Sequence, residues 1–180
     1  MARREQRVTM AFVRLSIAIV LCAGCSVVDF DITQALPEQR VQGSPLPGPL
    51  AALFPLPLDL DLSSKIRERD SGPIDSITIS SLSLTLTDAG RPAGDSDDWS
   101  FVELVHVFVK SSKQGSTLPR IEIASVSAPG AVTTMAFDVA DVNIKPYVDE
   151  GSIVEGEGRG MLPPDDVTYT GSATFTVHPL

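Results

Sequence analysis

Cysteine has the most distinctive chemistry of the residues in this chain, because its thiolate is a nucleophile. The chain holds two cysteines, Cys22 and Cys25, which follow arginines at positions 3, 4, 7 and 14 and an apolar run at 15–22. A membrane-spanning helix needs about 20 apolar residues, so this run is too short to span a bilayer. A basic flank, a short apolar run and small residues are typical of an export signal peptide, which could start at Met1 or Met10.

The five residues at 21–25, Leu-Cys-Ala-Gly-Cys, resemble the lipobox of bacterial lipoproteins, in which small residues precede an invariant cysteine. The departure is Cys22, which stands where leucine is commonest. The resemblance implies that the thiol of Cys25 receives a diacylglycerol and that residues 1–24 are removed as a lipoprotein signal peptide. It also implies that the new N-terminus is acylated, with a fatty acid such as palmitate. An ordinary secretory signal with a free cysteine and a short internal hydrophobic helix are the alternatives.

The residue after Cys25 bears on the choice of membrane. Ser26 is similar to the outer-membrane default of enteric lipoproteins, whereas aspartate there resembles an inner-membrane retention signal. The resemblance therefore implies a lipid-anchored protein of the bacterial cell envelope, in the outer membrane. Residues 25–180 would be the mature chain, which we expect to form a single domain.

An acidic run and a glycine-rich run are the other motifs that suggest a ligand. Carboxylates at Asp95, Asp97 and Asp98 could coordinate calcium, but the EF-hand pattern of a glycine at position six and a glutamate at position twelve is missing. Alternate glycines at 156–160 resemble a phosphate loop, but two prolines follow where a dinucleotide site requires a helix. We predict a solvated turn for the first run and a loosened edge strand or hairpin for the second, with no metal and no cofactor.

The two histidines suggest no catalytic site. His106 lies within an apolar stretch and His178 lies among threonines, and neither has a cysteine partner with which to build a zinc site of three or four ligands. The chain also has no Gly-x-Ser-x-Gly element for a serine nucleophile. We therefore predict that His106 is a packed or edge-facing side chain, that no residue is catalytic and that the protein is not an enzyme.

The composition limits the class of partner. The 180 residues carry a formal charge of −9, and removal of 1–24 would leave 10 basic and 22 acidic residues, a net charge of −12. Such a chain would repel the phosphates of nucleic acid and would not adhere electrostatically to anionic lipid. With 43% hydrophobic residues it can still form a core.

Beyond Cys25 the hydrophobic pattern repeats every two residues, which is typical of strands. The alternation is clearest at 167–177, where apolar residues occupy one face and threonine or serine the other. Breaker segments rich in Gly, Pro and Asp separate the runs. The predicted strands are 28–32, 58–62, 76–87, 101–109, 121–127, 132–144, 153–154 and 167–177.

About eight short strands with frequent turns predict an all-β fold, an antiparallel β-sandwich. An immunoglobulin-like sandwich is one form of it, although the Cys-Trp-Cys pattern of true immunoglobulin domains is absent, and a small β-barrel is the alternative. Apolar positions change from odd to even near 80–81 and again near 140–141. A phase change within a strand predicts a β-bulge or a corner between sheets at each place.

A proline- and leucine-rich loop at 43–57 is the one biased segment of the mature chain. Its five prolines exclude a central strand, because proline cannot donate to a ladder. On one interpretation the loop contacts a membrane or a partner; on the other it buries apolar side chains as a lid on the core. The candidate contact residues are Leu46, Leu50, Leu53, Phe54 and Leu56.

These observations favour a membrane-anchored envelope lipoprotein whose β-sandwich is a non-catalytic binding or structural module. Its partners would be the membrane, through lipid on Cys25, and an envelope protein. A periplasmic carrier of a small ligand or lipid is the alternative, which requires an apolar cavity.

Overall fold

The computed structural model describes residues 28–50, 53–54, 56, 58, 62–69, 72–89 and 96–180. Within these residues lie nine strands, two six-residue helices and one 3-10 turn at Trp99–Phe101. The strands are β1 (Phe30–Val41), β2 (Leu53–Phe54), β3 (Ile74–Leu86), β4 (Val102–Ser111), β5 (Ile121–Ser127), β6 (Thr134–Ala136), β7 (Asp138–Val139), β8 (Ser152–Gly160) and β9 (Val167–Pro179). The helices are α1 (Ser63–Glu68) and α2 (Lys145–Glu150).

The strands form two sheets that face each other across one core. The first sheet has the order β1-β9-β3-β6 and the second has the order β2-β8-β4-β5-β7, with antiparallel neighbours throughout. Both sheets are open, so the strands described here do not close into the barrel that was the alternative. The predicted all-β antiparallel sandwich is confirmed.

Strand β9 shows why the alternating sequence becomes a half-buried strand. Val167, Tyr169, Phe175 and Val177 are at most 1% exposed, whereas the threonines between them face outward. The strand lies between β1 and β3, so its backbone is paired on both sides. β-Branched and aromatic side chains pack well on such a pleated surface.

The phase change predicted near 80–81 is a register shift in β3. Ile77 and Ile79 are buried before the shift and Leu82 is buried after it, while the pairing with β9 slips between Ile79 and Ser81. The extra residue returns the apolar side chains to the core face. The predicted β-bulge is confirmed here.

The second phase change is a corner at which the chain changes sheets. β6 pairs with β3 in the first sheet, and β7 pairs with β5 in the second. The crossing occurs at Phe137, whose backbone N–H donates to Leu82, a few residues before the predicted 140–141. The predicted strand 132–144 is therefore two short strands, and the chain then enters α2.

The predicted strand at 58–62 is only partly within the described residues. Leu58 and Leu62 are buried in the core, and positions 59–61 lie outside the described residues. From Ser63 the chain forms α1, in which the N–H of Ile66 donates to the carbonyl of Leu62. In the part of the chain described here, no helix has the length and apolar character needed to cross a bilayer.

The antiparallel pairing gives the sandwich two distinct ends. Phe30, at the start of β1, pairs with Val177 near the end of β9, and we call this the entry end. Val41, at the other end of β1, pairs with Val167, and we call this the far end. The end of β3 and the start of β4 meet at the far end, because the backbone N–H of Leu86 and the indole N–H of Trp99 both donate to the carbonyl of Thr133.

Candidate functional site

A surface cleft of about 370 Å³ opens at the far end of the sandwich. It lies where β4 begins, where β8 ends and where the chain leaves β5. Its lining residues are mostly small or apolar, with one carboxylate: Ser100, Phe101, Val102, Glu103, Ala128, Gly130, Gly160 and Met161.

The backbone at Ala128 shapes one wall of the cleft. Its φ is 45°, which makes it the one non-glycine residue with positive φ in the described part of the chain. Its N–H donates to the carbonyl of Glu103 at 2.8 Å, and Gly130, with φ of 78°, continues the turn. A left-handed conformation costs a residue with a Cβ about 1–2 kcal/mol, so the loop holds local strain beside the cleft.

The opposite wall depends on a glycine at the end of β8. Gly160 has φ of 155°, and a Cβ there would collide with the carbonyl oxygen of Phe101 and lie 2.9 Å from the nitrogen of Glu103. Without a side chain, the strand approaches β4 closely, and the N–H of Met161 donates to Phe101 at 2.9 Å. Met161 then projects outward and is 51% exposed.

Behind the cleft lies a cluster of aromatic rings, of which Phe101 is half-buried and Trp99, Tyr169 and Phe54 are buried. The ring centroid of Phe101 is 5.5 Å from that of Trp99, which in turn is 5.5 Å from that of Tyr169. Phe54 stacks on Tyr169 at 5.6 Å. Burial raises the pKa of Tyr169. The cleft wall is therefore backed by rigid core, and the indole of Trp99 lies one ring away from it.

The rim of the cleft carries charge. Glu103, whose side chain is 62% exposed, lies 3.2 Å from the guanidinium of Arg159. Asp98 accepts a hydrogen bond from the backbone of Ser100 at 2.9 Å and begins the 3-10 turn. Hydrogen bonds from the hydroxyl and then the backbone of Ser100 hold the pKa of Asp98 below its ordinary value. The rim therefore carries the Glu103–Arg159 ion pair, and the Asp98 carboxylate lies beside the lining residue Ser100.

The candidate contact residues of the loop at 43–57 do not form one surface. Leu50, Phe54 and Leu56 are 7%, 3% and 8% exposed and belong to the core, which corrects the contact prediction for these three. Leu46 is 74% exposed, and the side chain of Leu53 lies outside the described residues. Leu50, Phe54 and Leu56 therefore cover the core as in the alternative interpretation, and we call these three residues the lid.

The glycine-rich run at 156–160 is strand β8, which lies between β2 and β4 and is therefore not an edge strand or a hairpin turn. A Cβ on Gly158 would lie 3.2 Å from side-chain atoms of both Leu50 and Phe54. The glycines thus leave room for the lid, which is a packing role rather than a phosphate-binding one.

Each histidine contacts a carboxylate. His106 faces outward from β4, and its Nδ1 lies 2.9 Å from Oε2 of Glu122. Its ring lies beside Phe108, over which the Arg120 guanidinium stacks at 3.4 Å from the ring centroid. His178 Nδ1 lies 2.9 Å from the carboxylate of Asp29 at the entry end, far from the cleft.

The remaining candidate residues either do not form a ligand site or lie outside the described residues. Asp98 caps a turn, while Asp95 is outside the described residues. No group of three or more His, Cys, Asp or Glu among the residues described is arranged to hold a metal ion. Cys25 and the signal segment 1–24 also lie outside the described residues.

Sequence reasoning missed the cleft itself. The sequence pattern predicts only a strand beginning at Phe101 and no site role for Ala128 or Met161. The sole local signal was the Ala128-Pro129-Gly130 turn, because the cleft is built by backbone geometry from three separated segments. A search of protein-family models and of curated proteins finds no match to this chain.

Proposed function

We propose that this chain is a lipid-anchored protein of the bacterial cell envelope, and that its β-sandwich is a non-catalytic module that binds a protein partner at the far-end cleft. The lipid anchor is Cys25, as the lipobox resemblance implies, and the outer membrane is the proposed location. The observation that carries the proposal is the polarity of the domain: Cys25 leads into one end and the cleft opens at the other.

The distances along the chain support this polarity. Cys25 precedes Phe30 by five residues, which reach at most about 18 Å when fully extended. The 12 residues of β1 then run the length of the first sheet, about 40 Å at 3.3 Å per residue. The entry end is thus held near the lipid, and the cleft can face away from it.

The first residues of the loop at 43–57 fit this arrangement, because they lie at the far end. Gly43 donates its N–H to Asp166 at 2.7 Å, and Ser44 donates to the carbonyl of Pro163 at 2.8 Å, both beyond Val41. Exposed Leu46 therefore lies about one strand length from Phe30. This position favours contact with a partner over contact with the bilayer around Cys25.

The filled interior supports a binding module over a carrier. Trp99, Tyr169 and Phe175 are fully buried between the sheets, where a carrier would need an apolar cavity for its ligand. The cleft lies instead at the surface.

The anchor is tested by replacing Cys25 with serine in cells supplied with labelled palmitate. Two or three acyl chains would hold the wild type in the membrane fraction, since each buried methylene contributes about 0.8 kcal/mol. We expect the Cys25→Ser protein to carry no label and to leave that fraction. Cys22→Ser is the matched control, because it changes the neighbouring thiol and should keep both label and location.

Two results would contradict the anchor. One is a wild type without label. The other is a Cys25→Ser protein that is labelled and retained like the wild type. Separation of inner from outer membranes then tests the location, and recovery in the inner membrane would contradict the outer-membrane proposal.

A further inference from the structure

We infer that the entry end is a membrane-contact surface, at which the apolar side chains of Val28 and Leu180 enter the interfacial layer of the bilayer that holds Cys25. The inference rests on the proposed lipid anchor and goes beyond it, because an anchor alone leaves open how the domain lies on the membrane. It commits to a lipid surface as the occupant and to apolar contact, rather than charge, as the chemistry.

The exposed apolar side chains provide the first observation. Among the described residues, the most exposed large hydrophobic side chains are those of Leu46 and Leu180, each 74% exposed, and of Val28, which is 71% exposed. Leu46 lies at the far end, whereas Val28 and Leu180 lie at the entry end. A single exposed apolar residue is ordinary on a protein surface, so the position of these two residues relative to the anchor decides their role.

Two contacts bring Val28 and Leu180 to the same end of the first sheet. The carboxylate of Asp29 lies 2.9 Å from Nδ1 of His178, which holds the residue after Val28 against the end of β9. The N–H of Leu180 donates to the carbonyl of Pro73 at 2.9 Å, just before β3 begins. Both apolar side chains therefore belong to the rim of the sheet that the anchored chain enters.

The length of chain between the anchor and the domain selects the bilayer as the occupant. Cys25 precedes Val28 by three residues, which reach at most about 11 Å when fully extended. A tether this short keeps the entry end at a high local concentration relative to the lipid, so even a weak contact is occupied. Leu46 has no such constraint, because it follows the 12 residues of β1, about 40 Å of strand.

The charges at the entry end favour an apolar contact over an electrostatic one. Asp29, Asp31 and Asp75 are exposed there, while the guanidinium of Arg69 lies 5.5 Å from the ring centroid of Phe30. Such a mixture does not attract anionic headgroups, and the mature net charge of −12 repels them. The carboxylates must also stay in water, so the contact is shallow and lies at the boundary of headgroups and acyl chains.

The test uses the full-length acylated protein in vesicles of phosphatidylcholine whose acyl chains carry bromine, which quenches tryptophan emission on contact. Leu180→Trp places an indole at the entry end, and Leu46→Trp is the matched control, because Leu46 is equally exposed at the far end. Trp99, the sole native tryptophan, is fully buried and gives both variants the same background. We expect bromine to quench the emission of Leu180→Trp and to leave that of Leu46→Trp at the wild-type level.

A second variant and a change of lipid test the stated chemistry. Val28→Trp should be quenched like Leu180→Trp, since both positions lie at the same rim. Adding phosphatidylglycerol to the vesicles, or raising the salt concentration, should not increase or abolish the quenching, because apolar contact does not depend on headgroup charge.

The outcomes separate this inference from the anchor. Flotation of the vesicles is scored first, and wild-type protein that does not float contradicts the anchor and the inference together. Floating protein in which either entry-end tryptophan escapes quenching, or in which Leu46→Trp is quenched equally, overturns the inference and leaves the anchor intact. Quenching that requires phosphatidylglycerol and is lost in salt shows electrostatic attraction and overturns the apolar chemistry.

Discussion

The carbonyl oxygen of Phe54 lies so close to Gly156 that a Cβ on this glycine would be 2.6 Å from the oxygen. The two residues are partners in the short pairing of β2 with β8. This contact holds the lid against the second sheet, and it is possible only because β8 has no side chain at that position.

Gly156→Ala should therefore destabilise the protein. The added methyl would push on both Phe54 and Leu56, and overpacking of this kind costs about 1–3 kcal/mol of unfolding free energy. Thermal denaturation of the purified full chain, followed by circular dichroism, measures the loss. Gly48→Ala is the control, because its new methyl would lie at an ordinary 3.4 Å from Leu162. Equal melting temperatures for the two variants would show that the close approach is not important.

The lid itself is tested by truncating one buried and one exposed side chain. Phe54 is 3% exposed and packs on Tyr169, so Phe54→Ala should lower the unfolding free energy by about 3–5 kcal/mol. Leu46 is 74% exposed, and Leu46→Ala should change it by less than about 0.5 kcal/mol. Chemical denaturation followed by Trp99 emission provides both values. A neutral Phe54→Ala would be inconsistent with a lid that belongs to the core.

Stability should fall in acid, partly through Glu155. Hydrogen bonds from Lys110 and then Arg120 hold the pKa of Glu155 below its ordinary value of 4.5. Because the folded state favours the ionised form, this contribution is present above pH 4.5 and is lost as the pH falls below it. Glu155→Gln should therefore melt below the wild type at neutral pH, with the difference shrinking in acid.

The control for this pH dependence is Glu68→Gln, which alters an exposed carboxylate on α1. We expect its melting temperature to follow that of the wild type across the same range. A difference between the wild type and Glu155→Gln that stays constant from neutral to acid pH would refute the assigned role of Glu155.

Strain at Ala128 predicts a small gain in stability on substitution by glycine. With φ at 45°, Ala128→Gly relieves about 1–2 kcal/mol of backbone cost and loses about 0.5–1 kcal/mol to the entropy of the unfolded chain. The net gain should be up to about 1.5 kcal/mol, whereas the β-branched Ala128→Val should destabilise. Ala136→Gly, in an exposed strand position, is the control and should not stabilise. Denaturant titration measures all three.

Much of the fold could be predicted because period-two patterning records which face of a strand is buried. Residues 121–127 were predicted with the bounds that β5 has, and the bulge between Ile79 and Ser81 was visible as a change of phase. β8 was a weak prediction at 153–154 because its core face carries glycines where apolar residues usually mark a strand. The apolar side chains that cover these glycines belong to the lid, which is distant from β8 in the sequence.

The cleft could not be predicted for a different reason. It depends on a positive φ at Ala128 and on the close approach of Gly160 to Phe101, and neither has a pattern in hydrophobicity. The sequence left two interpretations of the loop at 43–57 open. Its proline and leucine content indicates an irregular apolar segment, but it does not show whether the apolar side chains are buried or exposed.

The antiparallel pairing of β1 with β9 has a mechanical consequence. If Cys25 is held at the entry end and a partner pulls at the far end, the load runs along the axis of β1. Ladder hydrogen bonds lie perpendicular to their strands, so those between Phe30 and Val41 are loaded in shear and must yield together rather than one by one. Under such a load, β1 would carry tension along its length and would not peel away from β9 one hydrogen bond at a time.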